Sequence, residues 1–135
     1  MPKRKSKSDS VLPPILITAD EARRLYALAN SNMAHFRREA FFLAREMNRA
    51  NVVPDNVDLS GVVHMGSQVR YCDDKTGDVR DVVLVYPHEA QIALKRLSVL
   101  TSVGAALIGL SVGQTIEFQT PAYRTRSLTV LGVSS

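Results

Sequence analysis

The chain carries a single cysteine, no tryptophan and only 6% aromatic residues. One thiol, Cys72, closes no internal disulfide and supplies no cysteine-based zinc site, so it reads as a small packed hydrophobe. No apolar stretch approaches the roughly 18–20 residues of a membrane-spanning helix. The amino terminus is charged and then meets VLPPILIT, too short and too interrupted by proline for a secretory signal. These absences lead to the expectation of a cytoplasmic protein with no membrane partner. Catalytic fingerprints are missing as well: there is no Gly-x-Ser-x-Gly elbow, phosphate-binding loop or dinucleotide-binding glycine motif. His35, His64 and His88 stand singly, without the pairing that metal sites use. Asp73, Asp74 and Asp78 surround Gly77, but a calcium loop starting at Asp73 puts Leu84 where its closing Glu belongs, so a turn is expected there. Neither a metal nor any other cofactor is expected.

What is present is an ordinary globular composition: 135 residues, 45% apolar and 22% charged. The net charge of +4 is concentrated at one end, because Lys3, Arg4, Lys5 and Lys7 against Asp9 contribute +3 of it. A solvated basic tail over residues 1–14 is expected, with at most a weak nucleic-acid contact.

Residues 15–52 carry helical signals. Thr18 followed by Glu21 fits a capping box, with Ala22, Leu25, Tyr26 and Ala29 at helical spacing behind it. Asn30-Ser31-Asn32 interrupts, and Phe36, Ala40, Leu43 and Met47 then form a second stripe. Two helices of about 12–17 residues joined so tightly make a short antiparallel, coiled-coil-like hairpin roughly 18–25 Å long. Residues 53–61, with Pro54, Asp55, Asp58 and Gly61, read as a linker. From residue 62 to 135 the signals turn to β-structure: a short strand at Val62–Met65, then strands at Gln68–Cys72 and Val79–Tyr86 around an Asp74–Gly77 turn. Val82–Val85 is continuously apolar and is expected to be covered on both faces. Pro87–Arg96 fits either a helical turn or a loop, and Leu97–Leu100 is extended. Ser102 caps a helix over Val103–Ile108 that Gly109 closes in a left-handed conformation. Strands at Thr115–Thr120 and Ser127–Val133 follow, joined through Pro121-Ala122. The fold class is α+β: a helical hairpin, then a strand-rich domain with one short helix.

The run Leu97-Ser98-Val99-Leu100-Thr101-Ser102-Val103-Gly104-Ala105-Ala106-Leu107-Ile108-Gly109, followed by Val112-Gly113, resembles the carboxy-terminal signature of the Gre transcript-cleavage factors. Gly66-Ser67-Gln68-Val69, Leu84-Val85-Tyr86-Pro87 and the last strand at Leu128-Thr129-Val130-Leu131 occur in the matching order. The Val103–Leu107 run and the Leu84–Pro87 run are similar to one branch, the regulators of nucleoside diphosphate kinase, which are Gre relatives with a shortened hairpin. The resemblance implies an FKBP-like carboxy-terminal domain that docks at the rim of the secondary channel of bacterial RNA polymerase. It also implies a hairpin directed into that channel.

In cleavage-stimulating relatives, acidic residues at the hairpin tip help to hold a magnesium ion at the polymerase active site. Here no Asp or Glu lies between Asn30 and Arg38, and Glu39 follows Arg37 and Arg38. The hairpin-tip residues Asn32, Met33, His35, Arg37, Arg38 and Glu39 are therefore expected to contact the channel rather than a metal, with Phe36 closing the small helical core. Leu100, Thr101, Ser102 and Val103 are the expected polymerase-binding residues of the carboxy-terminal domain. Leu100 replaces an acid of the family pattern and Ser102 a proline, so an exposed Leu100 is expected to act as a hydrophobic anchor. The implied function is a non-enzymatic transcription modulator that competes with Gre factors and does not stimulate cleavage. The alternatives are an FKBP-like peptidyl-prolyl isomerase and direct nucleic-acid binding through Lys3, Arg4, Lys5 and Lys7. Any effect on nucleoside diphosphate kinase is expected to be indirect, through transcription.

Overall fold

Thr18 starts the first helix as its spacing from Glu21 predicts. In this computed structural model, which describes residues 12–120, 122 and 124–135, the Thr18 hydroxyl accepts from the Glu21 N–H at 3.3 Å. The box is only half closed. The Glu21 carboxylate accepts from the Met65 N–H at 3.2 Å instead of returning to Thr18, and so ties the helix to the segment ahead of the main sheet. The basic residues Lys3, Arg4, Lys5 and Lys7 lie outside the described residues, as do Pro121 and Tyr123.

Helix α1 runs over Ala19–Ser31 and α2 over Arg37–Arg49. They are bracketed by two short strands, β1 (Leu16–Thr18) and β2 (Asn51–Val53), which pair in parallel from Leu16↔Asn51 to Thr18↔Val53. That pairing holds the start of α1 beside the end of α2. Leu25 and Ala29 of α1 and Ala40, Leu43 and Met47 of α2 are buried, as the helical spacing requires. Two residues depart from expectation. Tyr26 is 42% and Phe36 52% exposed. Phe36 is the N-cap residue of α2, with φ −127° and ψ 57°, and so falls off the stripe that a continuous helix would have extended to it.

The main sheet has five strands: β3 (Gln68–Asp73), β4 (Val79–Val85), β5 (Arg96–Ser98), β6 (Thr115–Gln119) and β7 (Thr125–Ser134). Their order is β5-β4-β3-β7-β6, antiparallel throughout except for the parallel β4–β5 pair. In the β3–β4 turn Gly77 has φ +82°, and the Asp73 carboxylate accepts from the N–H groups of Lys75 at 3.0 Å and Thr76 at 3.3 Å. This is turn chemistry of the kind the Asp-rich sequence suggests. Of the run expected to be covered on both faces, Leu84 and Val85 are buried, whereas Val82 and Val83 are only half-buried.

Val62–Met65 is not a strand. Val62 makes a single bridge to Ser111, and the Gly66 turn (φ +87°) follows before a ladder can extend. The ambiguous Pro87–Arg96 stretch resolves into two single 3-10 turns, Pro87–Glu89 and Ile92–Leu94, with Arg96 already opening β5. The third helix, α3, spans Ser102–Leu107, so its N-cap is Thr101 rather than Ser102. Gly109 adopts φ +82° as expected of a left-handed closing residue. A Cβ there would meet the Ile15 Cβ at 2.9 Å, so the position is also closed to any side chain.

One continuous core results. Leu25, Ala29, Ala40 and Leu43 of the helix pair join Leu84, Val99, Ala105, Ala106, Leu107, Ile116, Phe118, Leu128 and Val130 of the sheet and α3 in the same cluster. The mostly exposed 53–61 segment links the two, and its Asp55 carboxylate accepts from the Asp20 N–H at 2.8 Å at the first turn of α1.

Candidate functional site

The residues singled out from the sequence fall into two groups. The first is the turn between α1 and α2. Asn32 closes α1: its amide N–H donates to the carbonyls of Ala29 and Asn30, and its side-chain Nδ2 to Leu28 O at 2.9 Å. The Phe36 N–H donates to Asn32 O at 2.8 Å and the Ala40 N–H to Phe36 O at 2.8 Å, which carries the chain directly into α2. Asn32 and Met33 are half-buried, whereas His35, Arg37 and Arg38 are exposed. Glu39 is half-buried on α2. No carboxylate lies within the turn itself.

This end of the helix pair does not stand apart from the sheet. Arg38 Nη2 donates to Thr120 O at 3.5 Å, just beyond β6. One turn further along α2, Phe42 stacks on Phe118 of β6 with centroids 6.5 Å apart and planes at 15°, while Arg45 lies 5.2 Å over the Phe42 ring. At the other end of α2 the Glu46 carboxylate, whose side chain is 1% exposed, takes three bonds of 2.8–3.1 Å from the Arg49 guanidinium. Arg49 Nη1 also donates to Pro13 O at 2.6 Å. A buried carboxylate is tolerated here because its bonding capacity is filled by a planar bidentate donor.

The second group opens α3. Leu100 is not an exposed anchor: it is 8% exposed and belongs to the core. The reason is local. The Ser98 hydroxyl accepts from the Leu100 N–H at 2.9 Å, and Thr101 Oγ1 donates to Ser98 O at 2.7 Å while accepting from the Gly104 N–H at 3.0 Å. This ring of bonds folds the chain sharply between β5 and α3 and turns Leu100 inward. Thr101, Ser102 and Val103 remain half-buried. Gly104 packs so closely on β5 that an added Cβ would fall on the Ser98 carbonyl oxygen.

A cleft of about 460 Å³ lies along Thr18, Glu21, Asp58, His64, Val133 and Ser135. Burial raises the Glu21 carboxyl above its ordinary value against the opposing effect of the Met65 N–H bond. Across the sheet, the Arg126 side chain beside Asp73, together with the Lys75 and Thr76 N–H groups, lowers the Asp73 carboxyl. Both carboxylates already have internal partners and act as structural ties. Among the described residues no group of three or more His, Cys, Asp or Glu side chains is placed to hold a metal ion. No helix among them is long and apolar enough to cross a membrane.

Residues 58–135, more than half of the chain, match the family described as "Transcription elongation factor, GreA/GreB, C-term", and residues 13–53 match "Rnk N-terminus". The chain is 34% identical over 119 residues to the regulator of nucleoside diphosphate kinase of Escherichia coli (strain K12), covering 88% of each. It belongs to the regulator of nucleoside diphosphate kinase family, within the GreA/GreB group. Similarity extends to the transcription elongation factor GreA of Methylobacterium nodulans, 32% identical over 131 residues, covering 90% of this chain and 82% of that one. Among solved structures, a prokaryotic transcription elongation factor GreA/GreB from Nitrosomonas europaea superposes with a TM-score of 0.69 at 29% identity. That match covers 90% of this chain and 99% of the other.

Membership of this family makes two structural ties that sequence reasoning missed worth noting. The Glu46–Arg49–Pro13 contact ties the end of α2 to the segment ahead of β1 within the Rnk-type part, and Phe42–Phe118 holds the helix pair against the GreA/GreB-type sheet. Glu46 at the i,i+3 spacing from Arg49 was a usable signal for the first. Nothing local announces the second, because its partners are 76 positions apart in the chain.

Proposed function

We propose that this protein docks on bacterial RNA polymerase at the rim of the secondary channel, competes there with Gre factors and leaves transcript cleavage unstimulated. In this reading residues 62–135 form an FKBP-like docking domain, and residues 15–52 form a stunted hairpin that occupies the mouth of the channel. The observation that carries it is the α1–α2 turn. Each helix has 13 residues, about 20 Å, and the turn between them offers cationic Arg37 and Arg38 but no carboxylate. Magnesium requires several hard oxygen ligands in near-octahedral geometry, and a single half-buried Glu39 beside two arginines does not supply them. The same arginines suit an acidic channel wall. The link between α2 and β6 through Arg38 and Thr120 also supports a tip that stays close to the docking domain rather than reaching deep.

Two measurements test this reading. Labelled protein titrated with core polymerase is expected to bind and to be displaced by a GreA factor. A stalled elongation complex is expected to keep its RNA 3′ end intact when the protein is added. Absence of binding, binding indifferent to GreA, or RNA shortening would each refute the proposal.

A further inference from the structure

The loop between β4 and β5 presents the most solvent-exposed large apolar side chain among the described residues. Ile92 is 93% exposed and Leu94 53%, within a stretch (88–96) that is exposed at every position. An isolated exposed apolar residue needs no explanation, but this pair, flanked by Ala90 and Ala93, sits on a backbone that is tightly built. Glu89 Oε1 accepts from the Tyr86 N–H at 3.3 Å, and the Ala90 N–H donates to Pro87 O at 3.2 Å. Gln91 and Arg96 exchange backbone bonds in both directions, at 3.1 and 3.0 Å. Between them the Leu94 N–H bonds Gln91 O and the Lys95 N–H bonds Ile92 O, while the Lys95 carbonyl accepts from Val83 of β4 at 2.8 Å. Lys95 itself has φ +58°, the one positive φ outside glycine among the described residues. A left-handed lysine is a modest strain that persists only where its surroundings enforce it, and here it aims the Ile92–Leu94 turn outward.

We infer that Ile92 and Leu94 form a rigid apolar knob that anchors the protein to its partner by inserting into an apolar pocket with an acidic rim; the inference rests on the reading that this partner is RNA polymerase. Three observations support that occupant. Leu100, which the family pattern marks as an anchor, is inside the core, which leaves Ile92 as the most exposed large apolar side chain of the carboxy-terminal half among the described residues. The knob is convex and calls for a concave, larger partner. Its charged surroundings are net cationic: Lys95 and Arg96 are exposed beside it and Asp81 is paired bidentately with Arg70, which leaves Glu89 as the one negative charge set against them. Because the turn is already ordered, docking would freeze little backbone and the apolar gain would appear largely as affinity.

The test is fluorescence anisotropy of the full-length protein with core polymerase, beside its melting temperature. Ile92→Asp and Leu94→Asp are each expected to weaken binding at least about tenfold, the equivalent of losing one buried aliphatic side chain. Ile92→Leu should stay within about threefold, since it conserves the apolar volume. Lys95→Asn, which tolerates the left-handed backbone while removing the charge, should weaken binding at low salt and converge on wild type at high salt. Both Ile92 variants and Lys95→Asn should melt with wild type, because the fold buries almost none of Ile92 and leaves Lys95 exposed. If wild type binds and Ile92→Asp binds equally well, the knob is refuted while polymerase binding stands. If wild type itself fails to bind polymerase, both readings fall. If sedimentation shows a wild-type dimer that Ile92→Asp dissociates, with polymerase affinity unchanged, the knob is a self-association surface and the inference is overturned.

Discussion

Gly104→Ala isolates the contact that positions the start of α3. Intrinsic helix propensity favours Ala over Gly by about 1 kcal/mol, so the substitution would stabilise an unconstrained helix. Here the added Cβ would fall on Ser98 O, with Ser98 C and Thr101 Oγ1 each 2.9 Å away. Two of those three atoms are backbone of β5 and cannot rotate aside. The helix must lift from the strand, which costs about 1–3 kcal/mol as overpacking, and lifting it also strains the Thr101 cap, whose loss costs about 1 kcal/mol more. After the propensity gain is taken off, the net destabilisation is about 1–3 kcal/mol. For a chain of this length that corresponds to a fall in Tm of roughly 3–12 °C. With no tryptophan in the chain, far-UV circular dichroism during heating and urea titration is the suitable probe. Gly132→Ala serves as the control, because its Cβ would meet only the Arg70 Cβ at 4.0 Å. A Gly104→Ala protein that melts at or above wild type would refute the reasoning.

Arg49→Ala should cost about 3–5 kcal/mol in urea denaturation, because it strands the buried Glu46 carboxylate and removes the bond to Pro13 O. Adding Glu46→Leu should recover most of that loss, and a double variant no more stable than Arg49→Ala alone would show that the charge is not the cause. For Glu21, burial holds the carboxyl above its ordinary value of 4.5, so the folded state binds its proton more tightly than the unfolded chain. That contribution is complete below about pH 4.5 and is lost as pH rises through the raised folded value. Glu21→Gln keeps an acceptor for the Met65 N–H and abolishes the ionisation, so its stability relative to wild type should improve from pH 4 to pH 7. A difference flat across that range would count against the assignment.

Much of the local architecture was readable from residue order. The Thr18 cap, the Ala40–Leu43–Met47 stripe, the Asp73–Gly77 turn and the left-handed Gly109 all depend on neighbours within a few positions. The absence of acids between Asn30 and Arg38 is likewise a plain property of the chain, and it is the feature on which the proposed lack of cleavage stimulation rests. The readings that failed involve the direction a side chain takes once elements pack. Periodicity points Phe36 and Tyr26 inward, yet the first lies off the helix and the second on its outer side. The family pattern suggests an exposed Leu100, yet the Ser98–Thr101 bonds turn it in. Val62–Met65 had the composition of a strand, but its bonds to Gly109, Leu110 and Ser111 amount to a single bridge rather than a ladder.

Sequence alone therefore determined the three helices and the strands of the main sheet in their order, the family signature and the chemistry withheld from the α1–α2 turn, because each is encoded by short-range spacing. Tertiary structure alone decided that the helix pair shares one core with the sheet, that Phe42 meets Phe118, and that Ile92 rather than Leu100 faces solvent. Those outcomes depend on which distant surface arrives to cover a side chain, and no local pattern carries that information.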